Sequence, residues 1–155
     1  MTSIDTREFR NMCGRFATGI TIVATEVSGE KHGMTVNGFM SVSLEPPLIV
    51  VSVAKKAHAH DLIAQSMSYG VSILTEAQQP YSNHFAGRPD ESLDIPWEEL
   101  DGNPVIGGTL AQMSAKVVDA HEAGDHTLYI AEVTRFNYSE GKPILYYYTG
   151  YEEIK

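Results

Sequence analysis

The hydrophobic period of the chain changes at Ile20-Thr21-Ile22-Val23-Ala24-Thr25-Glu26-Val27, a β-branched and largely apolar stretch. Such a run is typical of a strand that is buried on both faces or nearly so. Ser28-Gly29-Glu30 supplies a turn after it, and a second strand is predicted through Gly33 to Val36. The stretch therefore predicts two successive strands joined by a short turn.

Further strands are predicted downstream, where apolar runs or alternating patterns are separated by polar or proline-containing segments. They cover Leu48–Val53, Tyr69–Leu74, Met113–Val117, Leu128–Val133 and Ile144–Tyr148. A short helix is predicted between Ala57 and Ser66. The segment from Glu76 to Gly108 contains four prolines among charged and small residues, so a long excursion with short helices is expected there.

The N-terminal segment has the pattern of a capped helix. Asp5 is a suitable N-cap, and Glu8 follows three residues later. Phe9, Met12, Cys13 and Phe16 then recur at helical spacing, which predicts an apolar stripe closed by Gly14 or Gly19. Because Cys13 lies on this stripe, we expect it to pack in the core rather than to act as a reactive thiol.

The totals favour one soluble domain, residues 1–155, that does not bind nucleic acid. Asp and Glu outnumber Lys and Arg by 20 to 11, for a net charge of −9. Binding to phosphate backbones needs a basic patch, and the longest basic run is Lys55-Lys56. No apolar stretch approaches the roughly 20 residues of a membrane span, and no signal peptide is evident. With a single cysteine, the cytoplasm is the simplest expected location.

About seven strands with helices at the start and in the middle predict a closed or partly closed antiparallel barrel with helical decoration. A doubly wound sheet is not supported, because regular strand and helix alternation and a Gly-x-Gly-x-x-Gly turn are absent. No hydrolase, P-loop or zinc motif is found. His58 and His60 would point to different sides of a helix, so no metal site is expected.

Three polar clusters could bind a ligand. Thr35–Leu44 could turn N–H groups and hydroxyls toward a phosphate or a polar ring edge, or could simply satisfy its own backbone. Ser52–His58 joins a strand end to a helix N-terminus, which attracts anions, although a solvated strand end is the commoner fate of a lysine pair. In Gly124–Thr127 an aspartate could orient a histidine, but in isolation such a segment is more often an ordinary hairpin turn.

Taken in order, these clusters resemble the short-chain flavin reductases, which include the reductase components of two-component flavin-dependent monooxygenases and have the FMN-binding split barrel fold. The resemblance spans nearly the whole chain. The stretches that carry it are Phe9–Met12 with Phe16–Val23, His32–Pro47, Ser82–Gly87, Gly124–Leu128 and Pro143–Tyr148.

The resemblance implies roles for particular residues. A flavin, FMN or FAD, would be bordered by the segment Thr35, Val36, Asn37 and Gly38, where Gly38 leaves only backbone contacts. Ser41, Val42 and Ser43 would lie near its phosphate or ribityl chain, Ser52, Val53, Ala54 and Lys55 would hold the phosphate, and Phe85 and Ala86 would flank the flavin. His126 would bind and orient the nicotinamide dinucleotide, and is the residue predicted to take part in catalysis.

The family likeness also implies a reaction and partners. Hydride would pass from NADH, or NADPH, to the flavin, so that the cofactor carries the chemistry and the protein aligns the two rings. The scarcity of arginine in the matched segments favours NADH. A homodimer is expected, with its flavin sites near the interface and with the aromatic strand Leu145–Tyr148 at that interface. A monooxygenase would receive the reduced flavin. The alternatives are a non-catalytic flavin-binding protein, a flavin-dependent oxidase and a barrel for an apolar ligand.

Overall fold

The structure, a computed structural model, describes residues 3–148 and 150–152. Within these residues the helices are α1 (Thr6–Cys13), α2 (His58–Ser66) and α3 (Gln79–His84), and a 3₁₀ turn over Glu76–Gln78 precedes α3. The strands are β1 (Thr21–Val27), β2 (Glu30–Val36), β3 (Phe39–Leu44), β4 (Pro47–Ala54), β5 (Ser68–Ile73), β6 (Trp97–Leu100), β7 (Asn103–Ile106), β8 (Ala111–Ala123), β9 (His126–Tyr138), β10 (Leu145–Tyr147) and β11 (Gly150–Glu152).

Seven strands form one antiparallel sheet in the order β2-β1-β5-β8-β9-β4-β3. The sheet is not closed by hydrogen bonds, and β2 and β3 are its two edges. Two small hairpins, β6-β7 and β10-β11, lie outside it. The predicted mainly β fold with helices and antiparallel strands is confirmed, whereas hydrogen bonds do not close the sheet into a barrel.

Strand β1 is covered on both faces, as its composition predicted. Residues 21–25 are all buried. Val23 points into one apolar cluster, whereas Ile20 and Ile22 belong to another. Because successive side chains of a strand point to opposite faces, the two clusters lie on opposite sides of β1.

The first cluster fills the inside of the curved sheet. It contains residues of β1, β2, β4, β5, β8, β9 and α2, namely Val23, Val36, Ile49, Val51, Val53, Ile63, Tyr69, Val71, Ala115, Val117, Tyr129 and Ala131. Tyr69 has no exposed surface, and its hydroxyl donates to the backbone carbonyl of Tyr129 at 3.0 Å. Burial of that hydroxyl without a partner would cost free energy, so this bond lets a tyrosine occupy the core.

The second cluster is covered by the excursion and by the C-terminal hairpin. It contains Ile20, Ile22, Leu74, Ile106 and Ile144, with partly buried side chains packed against them: Tyr81, Phe85, Ile95, Trp97, Tyr146 and Tyr151. The excursion contains short helices, as predicted, but also the β6-β7 hairpin, which was not predicted. Pro104 lies in β7, and proline is normally evidence against a strand.

Helix α1 corrects one expectation. Asp5 caps the helix, since its carboxylate accepts from the N–H groups of Arg7 and Glu8 at 2.8 and 3.2 Å, and Gly14 is the C-cap. No residue of α1 is buried, however, and Phe9, Met12 and Cys13 are exposed. The prediction that Cys13 packs in the core is therefore wrong. Helical spacing identified the apolar stripe, but spacing does not say which surface covers a stripe.

The two histidines of α2 have different neighbours. The His58 ring lies edge-on to His32, with centroids 4.8 Å apart, whereas His60 bonds to Thr127. Among the described residues, no three His, Cys, Asp or Glu side chains are grouped as metal ligands. No helix in the described ranges is long and apolar enough to cross a membrane.

Candidate functional site

A cavity of about 220 Å³ lies beside the end of β2. Three of the residues that line it, Thr35, Asn37 and Ala86, were predicted to border or flank a flavin. The other lining residues are Ile20, Ser82, Tyr146 and Tyr151. The structure thus brings part of the predicted set together around one concavity.

Helix α3 is held against the edge strand β2 by hydrogen bonds. The backbone N–H of Thr35 donates to the carbonyl of Phe85 at 3.2 Å, and the Thr35 hydroxyl donates to the carbonyl of Ser82 at 2.6 Å. An edge strand has unpaired backbone groups, and here the carbonyl of Phe85, at the C-terminal end of α3, accepts a hydrogen bond from one of them. The contact explains why Ala86, which follows the helix, reaches the cavity.

Phe85 packs into the protein rather than into the cavity wall. Its ring lies 5.7 Å from that of Trp97 and belongs to the second apolar cluster. A Cβ atom at Gly33 would lie 2.8 Å from this ring, so only glycine allows Phe85 to approach β2 so closely. Phe85 therefore anchors the neighbouring Ala86 by packing against the second apolar cluster, and of these two residues only Ala86 lines the cavity.

The segment after β2 is joined to β4 at Gly38. The N–H of Ser52 donates to the carbonyl of Gly38 at 2.9 Å, and a Cβ at Gly38 would lie 3.2 Å from the Cβ of Ser52. The side chains of Val36 and Val53 are buried in the first apolar cluster. Any contact of these two valines with a ligand would therefore be made by the backbone.

His126 lies on the strand next to the predicted phosphate segment. In the β4-β9 pairing, Ala54 is opposite His126 and Val53 is opposite Thr127. The N–H of Lys55 also donates to the carbonyl of Asp125 at 2.9 Å. Since successive side chains of a strand point to opposite faces, Ser52, Ala54 and His126 lie on one face of the sheet, whereas Val53 and Thr127 face the core.

Asp125 and His126 form a dyad at the surface. His126 Nδ1 lies 2.8 Å from a carboxylate oxygen of Asp125. The hydrogen bond from His126 lowers the pKa of Asp125 below its usual value, and the charge of His126 acts in the same direction. An ionised carboxylate only accepts hydrogen bonds, so Nδ1 carries the proton toward Asp125. The other ring nitrogen, Nε2, is then the one free to meet a ligand.

Lys55 already has an anionic neighbour. Its ammonium group lies 3.3 Å from the carboxylate of Glu122 on β8. The Glu122 side chain is 82% exposed and that of Lys55 38%, and solvent-exposed pairs of this kind contribute only about 0–1 kcal/mol. A more highly charged anion could therefore replace Glu122 at little cost.

Ser41, Val42 and Ser43 lie apart from this surface, on β3. A shift of register occurs between Ser41 and Ser43, and Val42 is exposed. Both serines line a second concavity, of about 260 Å³, whose other walls are mostly apolar. The structure does not bring them to the cavity that contains Thr35 and Asn37.

Comparison with known proteins identifies the chain's relatives. The sequence family described as the flavin reductase like domain matches residues 13–155. The chain belongs to the flavin reductase family. An NADH-dependent flavin reductase from a Rhodococcus species is 40% identical over 149 residues, covering 94% of this chain and 85% of the relative. The reductase component of 4-hydroxyphenylacetate 3-monooxygenase from Thermus thermophilus is 34% identical over 147 residues, covering 94% and 95%.

Solved structures of flavin reductases have the same fold. Flavin reductase PheA2 in its native state superposes with a TM-score of 0.95 at 47% identity, covering 98% of this chain and 99% of that one. The NADH:FAD oxidoreductase SgcE6 of Streptomyces globisporus, in complex with NAD and FAD fragments, superposes with a TM-score of 0.88 at 30% identity, covering 100% and 98%. The predicted family, flavin-reductase fold and enzyme class are therefore confirmed, and this flavin reductase is an oxidoreductase.

Two tyrosines of the C-terminal hairpin were not expected at the cavity, since Tyr146 was assigned to a dimer interface and Tyr151 had no assigned role. Tyr146 and Tyr151 are paired across β10 and β11, and their rings meet edge to face with centroids 5.6 Å apart. The Tyr151 hydroxyl lies 2.7 Å from the hydroxyl of Ser82 and donates to the Asn83 side chain at 3.0 Å. The cluster of four tyrosines, residues 146–148 and Tyr151, was a usable signal, but β11 itself was not predicted.

The Asp125-His126 dyad gives a prediction on the flavin reductase without any ligand. Replacing His126 by alanine removes the main cause of the lowered Asp125 pKa, so the pKa of Asp125 should rise toward its ordinary value. Carboxyl-detected NMR titration measures the change directly.

Asp90 is the matched control for this titration. Its pKa is lowered mainly by hydrogen bonds from Ser92, so it should not change in His126→Ala. An Asp125 pKa that is the same in both proteins would show that the dyad does not form in solution.

Proposed function

We propose that this flavin reductase transfers a hydride from NADH to FMN or FAD and passes the reduced flavin to a partner monooxygenase. The observation that carries the proposal is that Gly38, next to Asn37 of the cavity, is hydrogen-bonded to Ser52, and that the segment 52–55 adjoins the strand that contains His126. The names of several relatives agree with it, since they are NADH-dependent flavin reductases or reductase components of monooxygenases.

The residues present fit a flavin. The cavity combines apolar and aromatic walls with the polar side chains of Thr35, Asn37 and Ser82, as expected for an aromatic ring with polar edges. The buried hydroxyl of Thr18 has no hydrogen-bond partner among the described residues, and Thr18 is bridged to Tyr146 of the cavity wall. A polar group bound beside Tyr146 would supply the missing partner.

The protein's own contribution is to bind and to orient. A bound flavin would supply the hydride acceptor. Thr35, Asn37 and Ala86 would contact the ring, while Ser52 and Lys55 would hold the phosphate. His126, held by Asp125 through Nδ1, would direct Nε2 toward the nicotinamide dinucleotide and so restrict its orientation.

The weak Lys55-Glu122 pair supports transient binding. Glu122 would neutralise Lys55 whenever the phosphate leaves, so Lys55 would have an anionic partner in both the empty and the loaded site. Such a site suits a reductase whose reduced flavin must reach a second enzyme. A cytoplasmic location is part of the proposal, and the presence of only one cysteine supports it.

We also propose a homodimer, with a different surface from the one expected from sequence. The aromatic strand β10 is paired with β11 and bridged to Thr18 of its own chain. Large apolar side chains are instead exposed on β3 and β9: Leu44 is 89%, Phe136 65% and Tyr138 79% exposed. All three line the second, mostly apolar concavity, and an apolar patch of this kind suits a two-fold interface.

Lys55 tests the phosphate assignment. FMN should bind more tightly than riboflavin, and Lys55→Ala should narrow this difference because the phosphate loses its cationic partner. Fluorescence quenching gives both dissociation constants. Lys31→Ala is the control, since Lys31 also forms a partly exposed ion pair, with Glu26 at 3.8 Å. Equal affinity of the wild-type protein for FMN and riboflavin would contradict the assignment.

His126 tests the reductase mechanism. His126→Ala should raise the KM for NADH and lower kcat/KM by about ten- to hundredfold, a loss of about 1.4–2.7 kcal/mol of positioning energy, with little change in flavin affinity. The control is His121→Ala, because His121 is an exposed histidine that also pairs with an aspartate, Asp119, at 2.9 Å. If the two variants have the same kcat/KM for NADH, the role of His126 is refuted.

The homodimer is tested by light scattering at micromolar concentration. The wild-type mass should correspond to two chains, and Phe136→Asp should shift it toward one chain because burial of a carboxylate is unfavourable. Met67→Lys is the control, since Met67 is exposed at the end of α2, away from β3 and β9. A fully active wild-type monomer would rule out the dimer.

A further inference from the structure

His60 is a largely buried polar side chain that the proposed mechanism does not use. Its side chain is only 17% exposed, and its Nε2 atom lies 2.7 Å from the hydroxyl oxygen of Thr127. Thr127 is itself 5% exposed. Hydrogen bonds between groups withdrawn from water fix geometry strongly, because breaking them leaves polar atoms unsatisfied.

The bond joins the two parts of the proposed cofactor surface. Thr127 directly follows His126 in β9, and it is opposite Val53 of the phosphate segment. His60 lies in the first turn of α2, which begins three residues after Lys55. The N–H of His60 donates to the carbonyl of Ala57 at 3.0 Å, so the histidine is anchored to the loop that leaves β4.

The first turn of α2 contacts β9 through this bond. Its N-cap residue, Ala57, has no side chain that could cap the helix. The first turn is instead tied to β9 twice, because the Tyr129 hydroxyl also donates to the carbonyl of His60 at 3.0 Å. The imidazole therefore links α2 to β9 close to Lys55 and His126.

We propose that His60 is a positioning residue that, through Thr127, holds residues 55–57, the loop that carries Lys55 out of the β4-β9 pairing, in place relative to His126. The inference rests on the proposed function and deepens it. Lys55 would affect only flavin binding and His126 only NADH binding, whereas His60 would affect both. Weaker binding of both flavin and NADH with an unchanged kcat is a result that a general loss of stability would not produce.

The experiment compares two variants that remove the bond. His60→Ala and Thr127→Val should each raise the KM for NADH and the dissociation constant of FMN about three- to tenfold, the range expected for loss of one buried hydrogen bond. The riboflavin dissociation constant and kcat at saturating NADH should change less than about twofold. Thr127→Val keeps the size of the side chain, so it remains informative if His60→Ala folds poorly.

Conservative and double variants separate positioning from packing. Thr127→Ser keeps the hydroxyl and should behave like the wild type. If both residues act through one bond, the double variant His60→Ala/Thr127→Val should show the single-variant effect and not the product of the two. His58→Ala is the matched control, since His58 is an exposed histidine in the same turn and contacts His32 instead.

The outcomes distinguish failure of this inference from failure of the proposed function. A lower melting temperature with unchanged KM and FMN affinity, an effect on one ligand only, or multiplicative effects in the double variant would overturn the role of His60. Wild-type behaviour of both Lys55→Ala and His126→Ala would instead overturn the proposed function on which the role rests.

Discussion

Burial of β1 on both faces is the constraint from which the rest of the architecture follows. A strand with apolar side chains on both sides needs a layer over each, and the curved sheet encloses only one. The second layer is assembled from parts distant in sequence, the excursion around α3 and the C-terminal hairpin. The cavity beside β2 lies where these parts meet the sheet, and for that reason Ile20, Ser82 and Tyr151 all line it.

The edges of the open sheet explain why the site is located there. Strand β2 has no strand partner on its outer side. At this free edge the N–H of Thr35 donates to the carbonyl of Phe85, at the end of α3. The chain crosses from one edge of the sheet to the other through Asn37 and Gly38. In a fully closed barrel these backbone groups would be hydrogen-bonded to a neighbouring strand. The incomplete closure therefore leaves polar backbone at the same place as the concave surface.

Much of this arrangement could be predicted from the sequence, and the exceptions have physical reasons. The apolar, β-branched runs of β1, β4 and β5 were recognised because burial determines their composition. Strand β3 was not, since it mixes serines with exposed apolar residues and has no clear period. The role of Tyr151 was missed because its contacts with Ser82 and Asn83 bridge nearly seventy positions of the chain. The stripe on α1 was recognised, but its burial depends on tertiary packing, about which local spacing carries no information.

The carboxylate beside Lys55 has a consequence for how ionic strength acts on this protein. An anion that binds a free lysine releases the mobile ions around it, and its affinity falls as salt is added. Here the anion would displace a tethered carboxylate, and dissolved ions screen the attraction of Lys55 for both competitors. The two screening effects oppose each other, so the replacement of Glu122 by the anion would depend only weakly on the salt concentration. A chain with a net charge of −9 would thereby retain a local site for a negatively charged group, although its overall field repels one.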